Sequence, residues 1–205
     1  MVRRGAVLSG GASARMGRTK ALIEVDGVPM AARAASALTA ADAAPIVLVG
    51  GDPVELESLG FDVIPDRYPG QGPLGGVISA LAHYQHDEEL VAVVGCDLPL
   101  LDGQVLEHLF SALEADPTVD VAVARTDRRE SAIAAWRSGT RSALIAHFER
   151  GGRALHAAIG ELSTADVPVA ADTVVNVNRP AELEALRADR LSTNRSVTDD
   201  RVSGR

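Results

Sequence analysis

Short β-branched runs alternate with alanine-rich stretches along most of the chain: GAVLSG, PMAARAASALTAAD, PIVLVGG, FDVIPD, GGVISALAHYQ and LVAVVGCD follow one another in that rhythm. Strand-length apolar runs separated by helix-length segments are the pattern of βαβ units, which set strands side by side and lay helices over them. The helical stretch after the turn pair Asp26-Gly27 opens on Pro29, where a missing amide hydrogen costs nothing, and brings Met30, Ala34, Ala37 and Leu38 near one face. Past Asp97-Leu98-Pro99, Asp102 is placed to cap a helix carrying Val105, Leu106, Leu109, Phe110 and Leu113, and Pro117 closes that region before a strand in VDVAVA. SAIAAW reads as a further strand, Ser142 to Glu149 and RALHAAIGEL as helical, and DTVVNVN as a late strand leading into a helix from Pro180 to near Arg187. The polar, aperiodic stretch beyond is expected to be a disordered tail. One domain over 1–190, a tail over 191–205 and a substrate-facing elaboration near 125–160 follow from that reading.

Composition narrows the class. Hydrophobic residues make up 46% of the 205 but aromatics only 3%, so Val, Leu, Ile and Ala must fill the core, as in a mainly parallel sheet. Twenty Lys and Arg against 28 Asp and Glu leave a net charge of -8, which gives no long-range attraction for nucleic acid or anionic lipid. A phosphate site must therefore be local. The single cysteine, Cys96, excludes an internal disulfide and a cysteine-cluster metal site and suits a reducing compartment. The short apolar run after Arg3-Arg4 breaks at glycines, so neither a signal peptide nor a membrane span is expected, and the expected location is the cytoplasm.

Three constellations carry candidate chemistry. Leu8-Ser9-Gly10-Gly11-Ala12-Ser13-Ala14-Arg15-Met16-Gly17-Arg18-Thr19-Lys20 follows the first strand; its glycines let backbone amides approach a ligand, and Arg15 and Lys20 add charge for a polyphosphate. It is neither a P-loop nor a dinucleotide fingerprint, and so points to another way of holding a triphosphate. Asp66 follows the strand FDVIP and precedes the turn Gly70-Gln71-Gly72-Pro73-Leu74-Gly75-Gly76, where an α/β sheet presents its ligand loops; the alternative is a strand-ending cap. Asp97 ends the apolar run VAVVG, where a carboxylate is costly unless it faces a crevice, a hydrogen-bond network or a metal, and one aspartate with substrate phosphates suits Mg²⁺. Asn176 and Asn178 alternate with valines, so their amides are expected on one face, for a metal hydration shell, a phosphate or a second substrate, or as a turn-capping pair. Asp52 is a base contact or a solvated loop residue, Arg153 an anion contact or plain surface, and the five histidines lack metal-ligand spacing.

These residues resemble the molybdenum cofactor guanylyltransferase family, within the larger group of nucleotidyltransferases that share the opening GG-x-S-x-R-M-G-x-x-K. Leu8 to Lys20 matches that opening, Pro69 to Gly76 resembles the second signature, Gly95-Cys96-Asp97-Leu98-Pro99 the metal-binding one and Asn176-Val177-Asn178-Arg179-Pro180 the late asparagine motif, in order from about Arg4 to Ala188. The resemblance implies a three-layer, doubly wound, mainly parallel Rossmann-like α/β fold. It implies that Leu8, Ser9, Gly10, Gly11, Ser13, Arg15, Gly17 and Lys20 hold the nucleotide, with Asp52, Asp66, Gly72, Pro73, Leu74 and Gly75 around it. Arg15, Lys20 and Asp97 would be the catalytic groups, Asp97 the Mg²⁺ ligand, and Asn176, Asn178, Arg129 and Arg153 would lie on the acceptor side. The implied reaction transfers GMP from GTP to the phosphate of molybdopterin with release of pyrophosphate, with delivery or acceptor proteins for the cofactor as partners. Gly10-Gly11 in place of alanine-glycine favours guanine over cytosine. Ser131 stands where members commonly carry histidine or glutamine, and Gly50-Gly51-Asp52 replaces an asparagine-containing turn, which leaves open CTP, another small-molecule phosphate acceptor, or a noncatalytic nucleotide-binding role.

Overall fold

In the computed structural model, which describes residues 1–10, 19–84, 89–177, 181, 182 and 184, the alternation becomes one seven-stranded sheet with helices on both faces. In chain order, β1 (Val2–Leu8) is followed by a small hairpin, β2 (Glu24–Val25) and β3 (Val28–Pro29), and then by α1 (Met30–Ala40). The hairpin turns on Asp26 and Gly27, both in the left-handed region at φ +52 and +75, which is why Asp-Gly serves there. Next come β4 (Ile46–Val49), α2 (Pro53–Leu56), β5 (Asp62–Ile64), α3 (Pro73–His83) and β6 (Glu89–Gly95). The second half comprises α4 (Gly103–Ala115), β7 (Val121–Arg125), β8 (Arg129–Arg137), α5 (Arg141–Glu149), α6 (Leu155–Gly160) and β9 (Thr164–Pro168).

The strand order is β5-β4-β1-β6-β8-β7-β9. The first four are parallel; β8 enters antiparallel between β6 and β7, and β9 pairs parallel with β7. The sheet is therefore mainly parallel and doubly wound, as expected. Burial on both faces explains the unbroken apolar run of β6: Leu90, Ala92 and Val94 meet α1 and α4, while Val91 and Val93 meet α3, α5 and α6. Asp102 accepts from Gln104 N at 3.0 Å and so caps α4 as its position predicts. Among the described residues no helix is long and apolar enough to cross a membrane.

One expected element is absent. The described part of DTVVNVN, 172–177, forms no strand: Ala171–Val174 is a 3-10 turn, Val175 is extended and 175–177 join no ladder. Thr173 bonds back to Ala170 O through both its amide (3.2 Å) and its hydroxyl (2.7 Å), closing a local turn in competition with strand pairing. The open side of β7 is instead taken by β9, a strand not read from the sequence. Residues 181, 182 and 184 are helical; Pro180, most of the expected helix to Arg187 and the tail over 191–205 lie outside the described residues.

Candidate active site

Leu8 pairs with Val49 and Gly95, and Val49 with Ile64, so the carboxyl ends of β1, β4, β5 and β6 finish level on one edge. From β1 the chain continues toward β4 on one side while β6 lies on the other, and at such a reversal an open α/β sheet leaves a crevice. All three sequence constellations start on that edge. Ser9 N and Gly10 N both donate to Val49 O at 3.0 Å, and buried Ser9 Oγ donates to Gly50 O at 2.7 Å. A Cβ on Gly10 would lie 3.2 Å from Gly50 Cα, and one on Gly50, at φ +73, would lie 3.1 Å from Gly10 Cα. Glycine is thus needed on both loops for the backbones to touch. Leu8 itself packs on Gly76 of α3, where a Cβ would come within 2.8 Å of its Cδ2, and its carbonyl accepts from Cys96 N. Gly11, Ser13, Arg15 and Gly17 lie outside the described residues.

Lys20 and Asp97 meet. Lys20 Nζ lies 2.8 Å from Asp97 Oδ2, with side chains 18% and 23% exposed, so the pair is partly buried and not on open surface. Lys20 is fixed by the 3-10 turn Lys20–Leu22, whose Ala21 is fully buried. The late segment arrives from the other side. Val177 is buried against Ile23, Val25 and Met30 and donates its amide to Asp97 O at 2.9 Å. That anchor carries Asn176 to the carboxylate: one end of its amide lies 3.0 Å from both Oδ1 and Oδ2, donating to both when the nitrogen faces them. Asn178 lies outside the described residues. Gly95, not among the expected site residues, makes room for the acid by lacking a side chain: a Cβ there would sit 2.4 Å from Asp97 Oδ1. Cys96, buried next door, has its thiol pushed up to about 12, chiefly by burial and next by the Asp97 carboxylate.

Asp66 is built in from the opposite wall. Its Oδ1 accepts from Tyr68 N (2.9 Å) and Ser79 Oγ (3.1 Å), and Ser79 Oγ also accepts from Arg67 N at 2.9 Å. Ser79 is 2% exposed in the middle of α3, a buried hydroxyl that signals an anchored loop and that sequence reasoning passed over. Gly72, at φ +86, starts α3 with Pro73 in its first turn; Leu74 is fully buried, and Gly75 is pressed on Tyr68, where a Cβ would be 2.7 Å from its Cβ.

The remaining candidates have partners of their own. Asp52 caps α2, accepting from Val54 N at 2.8 Å. Arg129, at the start of β8, holds Asp166 of β9 at 2.6 Å, joined by Arg125 at the end of β7 at 2.9 Å. Arg153 donates Nε to Gln71 Oε1 at 2.9 Å and Nη1 to Phe148 O at 2.7 Å, beside the Gly70–Gly72 turn. His147 is buried and bonded to Glu161, and no group of three or more His, Cys, Asp or Glu able to hold a metal occurs among the described residues.

The chain is similar to known proteins in sequence and in fold. A family model described as the MobA-like NTP transferase domain matches residues 5–165. A probable molybdenum cofactor guanylyltransferase of Clostridium perfringens is 38% identical over 110 residues, 53% of this chain and 54% of that protein, so the chain spans about half the length of that relative in the match. The molybdenum cofactor guanylyltransferase of Rhodobacter capsulatus is 33% identical over 93% of this chain and 97% of its own length. Among solved structures, the molybdopterin-guanine dinucleotide biosynthesis protein A of Archaeoglobus fulgidus superimposes with a TM-score of 0.75 at 23% identity, covering 93% of this chain and 99% of that one, which speaks for the fold. With a family model spanning most of its sheet and a relative at 33% identity along nearly all its length, the chain belongs to the MobA-like NTP transferase family.

Proposed function

We propose that the protein is a molybdenum cofactor guanylyltransferase, moving GMP from GTP onto the terminal phosphate of molybdopterin. The observation that carries the chemistry is the convergence of Lys20, Asp97 and Asn176 on one edge of the sheet, from segments distant in sequence. The names of the Clostridium and Rhodobacter relatives support the guanine base and the pterin acceptor.

The acceptor phosphate is already a nucleophile, so no serine, cysteine or histidine base is called for. Its oxygen attacks the α-phosphorus of GTP, the new P–O–P bond forms, the bond to the bridging β-phosphate oxygen breaks and pyrophosphate leaves with that electron pair. No proton needs to move. The protein has to align two mutually repelling anions and neutralise the oxygens that gain charge. Lys20, with Arg15 from the preceding loop, supplies fixed positive charge for the triphosphate. Asp66, Gly72, Pro73, Leu74 and Gly75 wall the nucleotide, and the close contact of Gly10 with Gly50 presents backbone to the base. Arg153, Asn176 and Asn178 would serve the acceptor side, joined by Arg129 on its release from Asp166.

The donor set suits Mg²⁺: Asp97 offers two hard oxygens, and a half-turn of the Asn176 amide would bring a third to the same spot. Bound there with the nucleotide, the ion would offset charge on the phosphoryl oxygens. The deciding assay follows pyrophosphate release from GTP, CTP, ATP and UTP with purified molybdopterin and Mg²⁺, with the product weighed by mass spectrometry. A guanine dinucleotide adduct is expected. Product from CTP alone would make the protein a cytidylyltransferase, and GTP binding without product under any acceptor would make it a noncatalytic binder.

A further inference from the structure

α5 and α6 are joined by a corner that turns through Gly151, at φ +92, into Gly152 and Arg153. Under this corner lies His147, 8% exposed, on the last turn of α5. Its Nδ1 is 2.8 Å from Glu161 Oε1, and Glu161 Oε2 holds Arg150 at 2.6 Å. The carboxylate fixes the tautomer: Nδ1 carries the proton and donates it. The other ring nitrogen, Nε2, is buried without a partner and points at the backbone of Gly152, where a Cβ would come within 2.1 Å of it. Gly152 N in turn donates to His147 O at 3.1 Å. Imidazole and glycine are interlocked, and no other residue fits at 152 while the ring stays in place.

The interlock has an outward effect. Arg153 leaves it with Nη1 on Phe148 O and Gly152 O, its guanidinium 3.8 Å over the Phe148 ring and Nε on Gln71 Oε1. Gln71 sits in the Gly70–Gly72 turn, and the Arg153 carbonyl is 3.7 Å from where a Cβ on Gly72 would be. An exposed arginine held by three oxygens on two segments is a tie, since a solvated one would gain nothing from that order.

We propose that His147 is a positioning residue: through Gly152 and Arg153 it sets the Gly70–Gly72 turn and, with it, the start of α3. This rests on the reading of that turn as a wall of the nucleotide site. An unpartnered buried nitrogen is costly, and its retention against Gly152 is accounted for by the shape it imposes on the corner.

The test combines amide hydrogen exchange of the 70–75 segment with the kinetics of nucleotide use. Gly152→Ala should raise exchange there about tenfold, and raise the KM for the nucleotide by a similar factor with kcat within about twofold. Adding His147→Asn, which keeps a donor toward Glu161 but removes the outer half of the ring, should bring both values back toward the wild type. Gln71→Leu, at an exposed position, severs the tie with little demand on folding and should loosen the 152–154 segment in return. Unchanged exchange in Gln71→Leu and in folded Gly152→Ala overturns the tie, whatever the substrate proves to be. Raised exchange with unchanged KM overturns the positioning role. Failure of the wild type to use any nucleotide would instead count against the proposed function, and the exchange result would still decide the tie.

Discussion

Lys20 Nζ lies 2.8 Å from Asp97 Oδ2, although 77 positions separate the two residues. In the free protein each charge has the other as counter-ion, and on the proposed function a triphosphate would have to draw the ammonium toward itself. Lys20→Met should therefore remove a charge that matters most when phosphoryl oxygens gain negative character. Pyrophosphate release is expected to fall about 100- to 1000-fold, while the pair, being partly solvated, contributes only about 1 kcal/mol or less to folding. A thermal melt alongside the assay separates the two effects, and near-normal turnover in the variant would remove Lys20 from the mechanism.

Gly95→Ala tests the room given to the acid. The added methyl would fall 2.4 Å from Asp97 Oδ1, so the carboxylate must rotate away from Asn176 and Lys20. Turnover at saturating nucleotide should drop by about 100-fold and recover in part at high Mg²⁺ concentration. Wild-type activity in this variant would mean that the carboxylate position is not critical.

Most of the sheet could be read from the chain because its strands are buried on both faces and stand out as apolar runs: LVAVVG became β6 and VDVAVA became β7. Edge elements were harder. β9, TADVP, is only half-buried and ends in proline, so it carries little of that signal, whereas the valines of DTVVNVN imitate a strand that local turn bonds suppress. Candidate positions were legible where glycine or a carboxylate stood just past a strand end, as at Gly10, Asp66 and Asp97, and at Lys20 through the glycine-rich opening it closes. The site was not legible at Ser79, a hydroxyl inside an apolar helix whose partner Asp66 lies 13 residues away, nor in the commitment of Arg129 to Asp166 across the sheet. Such pairings depend on register and leave no local pattern.

Cys96 offers a simple probe of site integrity. Its thiol, pushed up to about 12 by burial and by Asp97, stays protonated at neutral pH and is shielded from reagents. Iodoacetamide at about pH 8 should leave the native protein unlabelled and add a single adduct after unfolding. Rapid labelling of the native protein would contradict this burial.

Acid should loosen the molecule at two ends. Arg3 holds Glu107 and Glu114, and Arg129 holds Asp166, with each carboxyl below its ordinary value, first because of the arginine's hydrogen bond. Carboxyls depressed in the folded state add stability above their unfolded values, near 4.5 for Glu and 3.8 for Asp, and lose it as the pH falls through the lower folded ones. Thermal midpoints measured from about pH 6 down to about pH 3 should decline, and Arg3→Leu should flatten that decline. An unchanged slope in the variant would show that these ion pairs do not govern acid stability.

The antiparallel entry of β8 divides the sheet into two parts. The loops proposed for GTP hang from β1, β4, β5 and β6, while the hairpin proposed for the acceptor joins β7 and β8, and the 151–153 corner reaches back to the nucleotide side through Gln71. β6 and β8 form the strand seam between the halves, and α1 against α4, α3 against α5 and the Arg153–Gln71 bond also cross it. On the proposed function, exchanging the β7–β8 hairpin, 121–137, between members while keeping the 147–153 corner should change the acceptor and leave nucleotide use in place, as product masses would show.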